Sequence, residues 1–149
     1  TLLRRAIALN PSLAEAHAAL GDTYTWNGEA ELALQSLRTA LRLSPTDLMV
    51  FTMLSAMATA YWMQGSWSEA IDLSEQSIIR RPGYWYGHVV KIAALVDQGN
   101  LAAARRAWSD LAAAKPGFDL GSIDWVPFVD ASWNARIRAR LAEAAGSET

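Results

Sequence analysis

A chain of 149 residues that is 52% hydrophobic and 19% charged has the composition of one globular domain, not of a disordered segment. Its formal net charge of −2 offers no field that would gather nucleic acid or an anionic membrane, so neither is expected as a partner. With no cysteine there is no disulfide framework, thiolate zinc site or cysteine nucleophile.

Helix-like sequence starts at Thr1 without a basic and apolar leader, which reads as a cytoplasmic piece of a longer polypeptide. Four prolines, Pro11, Pro45, Pro82 and Pro116, stand 34, 37 and 34 residues apart, a spacing that marks an internal repeat. The series Gly28, Gly65, Gly99 and the series Ala33, Ala70, Ala104 keep the same 37 and 34. One three-residue insertion before the second unit accounts for the departure.

In chain order, residues 1–11, with Leu3 and Ala6, read as the second helix of a unit whose first half is missing. The first complete unit spans 14–47. Apolar residues at Leu13, Ala16, Leu20 and Tyr24, then Leu32, Leu37 and Leu41, predict two helices. Ser12 with Glu15 forms a capping-box pattern, and Gly28 suits the left-handed residue that ends the first helix. In the second unit, 51–84, Asp47 is a candidate N-cap, Gly65 the stop, and Ser66 with Glu69 a second capping box. Its first helix lies in Leu48–Met63, a 16-residue stretch without charge, shorter than the roughly 20 residues a membrane span needs. The third unit, 85–118, turns at Gly99 with Asn100 as N-cap, and residues 119–149 form a C-terminal segment ending in a basic amphipathic helix.

The residue types in these slots resemble the tetratricopeptide repeat. In the first unit His17, Leu20, Gly21, Tyr24, Ala33, Leu37, Ala40 and Pro45 occupy the signature positions, with His17 and Leu37 standing where the family has aromatic residues. Lys91 and Ile92 in the Leu and Gly slots make the third unit the least typical. The resemblance implies an all-α fold, a right-handed superhelix of antiparallel helix pairs closed by a C-terminal capping helix. It also implies a protein-binding scaffold. The tail, Pro116-Gly117-Phe118-Asp119-Leu120 with Pro127-Phe128 and Asp130, resembles the region following such arrays in bacterial class III adenylate cyclases and some winged-helix regulators. That second resemblance implies a regulatory module of a larger signalling protein.

No phosphate loop, nucleophile elbow or metal-binding pair is present in the sequence, and neither a cofactor nor a catalytic residue is expected. His17 and His88 are read as packing residues. Arginines such as Arg38, Arg42, Arg80 and Arg105 fall on second helices, mostly where they complement the helix dipole. Arg136, Arg138 and Arg140 could reach phosphates but lie among acidic neighbours.

In a stacked array the first helices line a concave groove. The expected lining is Asp22, Thr25 and Trp26 from the first unit, with Glu15 and Ala18; Thr52, Ser55, Thr59, Trp62 and Met63 from the second; and Tyr86 and Val89 from the third, with Ala93, Val96 and Asp97. So apolar and aromatic a surface should be covered by something. The expected partner is a protein or peptide segment, which can belong to the same polypeptide; the alternative is a homodimer. The C-terminal residues Trp125, Phe128 and Trp133 are expected to cap the third unit, with occupation of the groove as the alternative.

Overall fold

The computed structural model describes residues 2–146. Its elements are α1 (Leu2–Leu9), α2 (Ala14–Trp26), α3 (Ala30–Leu43), α4 (Val50–Met63), α5 (Trp67–Arg80), α6 (Trp85–Asp97), α7 (Leu101–Ala114), a 3-10 helix (Leu120–Trp125) and α8 (Ser132–Ala145). There is no strand among the described residues, and the all-α expectation holds.

The helices pair as α2 with α3, α4 with α5, and α6 with α7, and successive pairs stack through α3 on α4 and α5 on α6. Small residues set the separation. A Cβ built on Gly21 would lie 2.5 Å from Leu37 Cγ and 2.7 Å from Leu37 Cδ2, so α2 and α3 meet only because that side chain is a hydrogen. Ala33, Ala70 and Ala104 are each fully buried at the matching place on the second helices. Gly28, Gly65 and Gly99 have φ of 79°, 79° and 88°, the left-handed conformation that the turn requires and that glycine adopts without a Cβ penalty.

The capping chemistry is simpler than the sequence suggests. Asn100 caps α7 by accepting from Ala103 N–H at 3.2 Å. Ser66 makes no side-chain capping bond, and α2 begins after Leu13 with no side-chain cap, so neither capping box forms. Asp47 lies two residues before the N-cap Met49 and accepts from its N–H at 2.7 Å, an Asx turn that leads into α4.

Polar links tie each unit to the next. Arg4 donates to the Tyr24 hydroxyl at 2.8 Å and Arg38 to the Tyr61 hydroxyl at 2.5 Å, each joining a second helix to the following first helix. At the third junction the charge is reversed: Lys91 of α6 pairs with Glu75 of α5 at 3.4 Å. Lys91 in an apolar slot thus has a structural partner. The charge-free α4 has eleven of its fourteen residues buried, because α2, α3, α5 and α6 all pack on it.

The C-terminal segment departs from the repeat. The 3-10 helix, which the sequence pattern does not predict, is pinned to α8 by Asn134, whose Nδ2 donates to the carbonyls of Ile123 at 2.9 Å and Val126 at 2.8 Å. A further first helix would rest mainly on α7, as α4 rests on α3; α8 instead lies mainly against α6. It is displaced toward the concave side, and Gly146, with φ of 74°, ends it.

Candidate functional site

Helices α2, α4 and α6 lie side by side, and several of the predicted groove residues meet between them. Tyr86 and Thr59 hydroxyls bond at 2.8 Å, and the Trp26 and Tyr86 rings meet edge to face at 6.1 Å. The hydroxyls of Thr25, Ser55 and Thr59 donate back to the carbonyls of Gly21, Thr52 and Ser55, each at 2.9 Å. These bonds let them pack in an apolar setting without an unpaired donor.

Much of this face is not open. Thr25, Ser55, Thr59, Trp62, Tyr86 and Val89 are buried, and Asp22, Trp26, Thr52 and Met63 are half-buried. The expectation of an exposed lining is corrected at the six buried positions: neighbouring groove side chains cover Ser55, Thr59 and Tyr86, and the C-terminal segment covers Trp62. Phe128 packs edge to face on Trp26 at 5.3 Å, and Trp133 on Trp62 at 5.5 Å. The Val129 N–H donates to the Trp26 carbonyl at 2.9 Å, so the strand of chain before α8 crosses from the third unit back to the first. The segment therefore does both things: α8 closes the array against α6 and α7, and the side chains of Phe128 and Trp133 fill the groove between Trp26 and Trp62.

A buried polar centre holds that arrangement. Asp97, whose side chain is 6% exposed, accepts from Trp62 Nε1 at 2.7 Å, Arg140 Nε at 2.6 Å and Arg136 at 3.3 Å. The Arg136 guanidinium also lies 4.8 Å from the Trp62 ring centroid. A carboxylate with three donors, two of them cationic, is compensated for leaving water, whereas removal of one side would strand charge. The helical period puts Asp97 and Trp62 on the groove but does not join them to α8. The i,i+4 spacing of Arg136 and Arg140 was the legible signal. Arg138 pairs with Asp124, so all three arginines of α8 face acidic groups of the chain itself.

What stays open is the end of the groove near the start of α6. Trp26, Tyr84, Trp85, Tyr86, Trp125, Val126 and Pro127 line a cavity of about 160 Å³, with Trp125 86% exposed at its lip. Asp22 sits one turn before Trp26 on α2. Burial pushes its carboxyl up to about 6, and it has no hydrogen bond or ion pair among the described residues. The Tyr84 and Tyr86 phenols are also raised, first by burial, with the negative charge of Asp22 adding to both and hydrogen bonds to Ser55 and Thr59 opposing it. The histidines pack as expected: ring nitrogens of His17 and His88 lie 3.0 and 2.9 Å from the carbonyls of Pro11 and Pro82. No cluster of three or more His, Cys, Asp or Glu that could hold a metal occurs among the described residues.

The tetratricopeptide-repeat family model matches residues 12–79, the first two helix pairs. The fold is a tetratricopeptide-repeat superhelix. A crystal structure of MamA is similar over 97% of this chain and 83% of its own, with a TM-score of 0.71 at 18% identity. The TPR2B domain of yeast Sti1, in a complex with pHsp70, covers 89% of this chain and 96% of its own, with a TM-score of 0.65 at 17% identity. No curated protein sequence matches the chain. Repeat arrays of this kind are protein-interaction modules. No helix among the described residues is long and apolar enough to cross a membrane.

Proposed function

We propose that the chain is a protein-interaction scaffold that takes an apolar peptide segment on the part of its concave face left uncovered by its own C-terminal residues. The carrying observation is the aromatic cavity at Tyr84, Trp85 and Trp125, which Trp26 also lines from the first unit. An exposed tryptophan rimming a ring-lined hollow is surface of the kind that marks recognition. The Sti1 domain of the same fold is seen in a complex with pHsp70, which supports a protein or peptide as the guest class. Because Phe128 and Trp133 already occupy the middle of the groove, the guest engages only a few anchors. Each contributes roughly 1.5 to 3 kcal/mol against an association cost of about 4 to 15 kcal/mol. Affinity is then weak to moderate, suited to a tethered partner.

The tail residues Pro116–Leu120, Pro127, Phe128 and Asp130 support a finer reading, in which the scaffold regulates an output domain of a cytoplasmic signalling polypeptide such as an adenylate cyclase. Leu2 and Leu9 of α1, 85% and 82% exposed, favour a second reading in which that edge pairs with a second copy.

Selection of peptides from a random display library on the chain, followed by NMR mapping of the best binder, tests the scaffold. Shifts are expected at Ala18, Asp22, Thr52, Tyr84 and Trp85. A binder mapping to α3, α5 and α7 would overturn the concave site, and a constitutive dimer by light scattering that is lost in Leu2→Asp, Leu9→Asp would favour the second reading.

A further inference from the structure

The cavity beside α6 has a chemical bias that its ring content alone does not convey. Tyr86 is its centre: Trp26 lies at 6.1 Å and 63°, Tyr84 at 6.3 Å and 61°, and Trp85 at 6.0 Å and 88°. The rings meet edge to face around Tyr86 instead of stacking, and with Trp125, exposed at the lip, five rings line the hollow. Aromatic faces carry negative potential, and a set of them around one hollow attracts a cation. The chain already uses its rings this way: Lys115 Nζ lies 5.2 Å from the Trp85 centroid and Arg81 lies 4.7 Å from that of Phe51.

The second observation is Asp22. It projects from the same face of α2 as Trp26, close enough to Tyr84 and Tyr86 to act on both phenols, and it is half-buried without a partner among the described residues. A neutral apolar guest would strip its remaining water and leave the charge uncompensated, and an anionic guest would repel it. A guest that brings a positive charge relieves both costs. The volume narrows the guest further. At about 160 Å³ the hollow falls below the roughly 300 Å³ at which small-molecule sites begin, which leaves room for a single side chain.

We infer that this cavity receives the lysine side chain of a partner segment, its methylene stem against Trp26, Trp85 and Trp125 and its ammonium turned toward Asp22. This rests on the scaffold reading above and names the anchor that the scaffold selects. The other charged groups around the hollow are Lys115, at Trp85; Arg81, at the Phe51 ring that packs on Tyr84; and the Asp124–Arg138 pair behind Trp125. Lys115 already sits on the Trp85 ring and Arg81 on Phe51, and the last pair is mutually compensated, so Asp22 is the carboxylate left for a guest.

The test uses the full chain with N-acetyl-lysine N-methylamide as probe and the norleucine analogue as its neutral match, read by the indole N–H signals of Trp26, Trp85 and Trp125. Saturable shifts of these three with the lysine probe are expected, with the norleucine probe binding about tenfold more weakly. Asp22→Asn should weaken the lysine probe and leave the norleucine probe unchanged, narrowing the gap between them, and Trp125→Ala, at an exposed position that does not support the core, should weaken both. Equal affinity for the two probes, or an unchanged lysine affinity in Asp22→Asn, would overturn the cation site while leaving the apolar scaffold intact. Unchanged binding in Trp125→Ala would show that the probe sits elsewhere and overturn it as well. Failure of the scaffold itself is read separately, as the absence of any concave-face binder from the display selection.

Discussion

Replacement of Trp62 by alanine should unfold this protein far more readily, although Trp62 stands on the face that a bare repeat array would offer to a guest. Its indole is 1% exposed, packs on Trp133 and donates to Asp97. Truncation of a core tryptophan to alanine costs about 3 to 5 kcal/mol, from lost transfer energy and the cavity left behind. Asp97 keeps its two arginines, so the severed hydrogen bond adds little beyond the upper end of that range. At about 2 to 4 °C per kcal/mol for a chain of this size, the melting temperature should fall by roughly 6 to 20 °C. Trp62→Phe keeps most of the ring but not the indole N–H, and should cost about 1 to 3 kcal/mol. Urea unfolding followed by far-UV circular dichroism measures both. A loss under about 1 kcal/mol for Trp62→Ala would mean that the indole faces solvent in an empty groove, and the account of the C-terminal segment as a built-in occupant would fail.

The remaining predictions concern other parts of the same framework. Gly21→Leu forces side-chain atoms into Leu37 and should destabilise by about 1 to 3 kcal/mol or more, whereas the double change with Leu37→Ala should recover part of that loss in the same urea titration. Asp97→Ala removes the shared partner of Arg136 and Arg140, whose side chains keep about a third of their surface in water, and should cost about 1 to 3 kcal/mol, with NMR signals of α8 broadening before those of α2 and α3 on heating. Between about pH 3.8 and 6, Asp22, with its carboxyl raised from 3.8 to about 6, holds a proton in the native state that the unfolded chain has already released. Its contribution to stability is therefore full below about pH 3.8 and is lost as pH rises through about 6. Reduced for solvent screening, this amounts to about 1 to 2 kcal/mol. Asp22→Asn should accordingly be more stable than the parent by that amount at pH 8 and nearly equal to it at pH 3.5, as thermal melts at the two values would show.

Much of the fold is legible in the chain because it is written in local terms. The proline, glycine and alanine intervals report turns and close helix contacts that depend on neighbours within one unit: Gly28 must adopt a positive φ wherever the rest of the molecule lies, and Gly21 must be small because Leu37, 16 residues on, packs on it. The helical period likewise places Trp26, Thr59, Trp62 and Tyr86 on one face. The capping boxes at Ser12 and Ser66 misled for a local reason of the same kind, since a short helix whose first turn is held by packing and backbone bonds does not need the side-chain cap.

Sequence alone thus determined the helix pairs and their stacking order. Only tertiary structure decided which side chains of the concave face meet water. The displacement of α8 toward α6, the crossing bond from Val129 to Trp26 and the Asp97 cluster all join residues from about 35 to 103 positions apart. Periodicity cannot register such contacts, because a side chain that faces a groove has the same spacing along its helix whether the groove is filled by solvent, by a partner or by the end of its own chain.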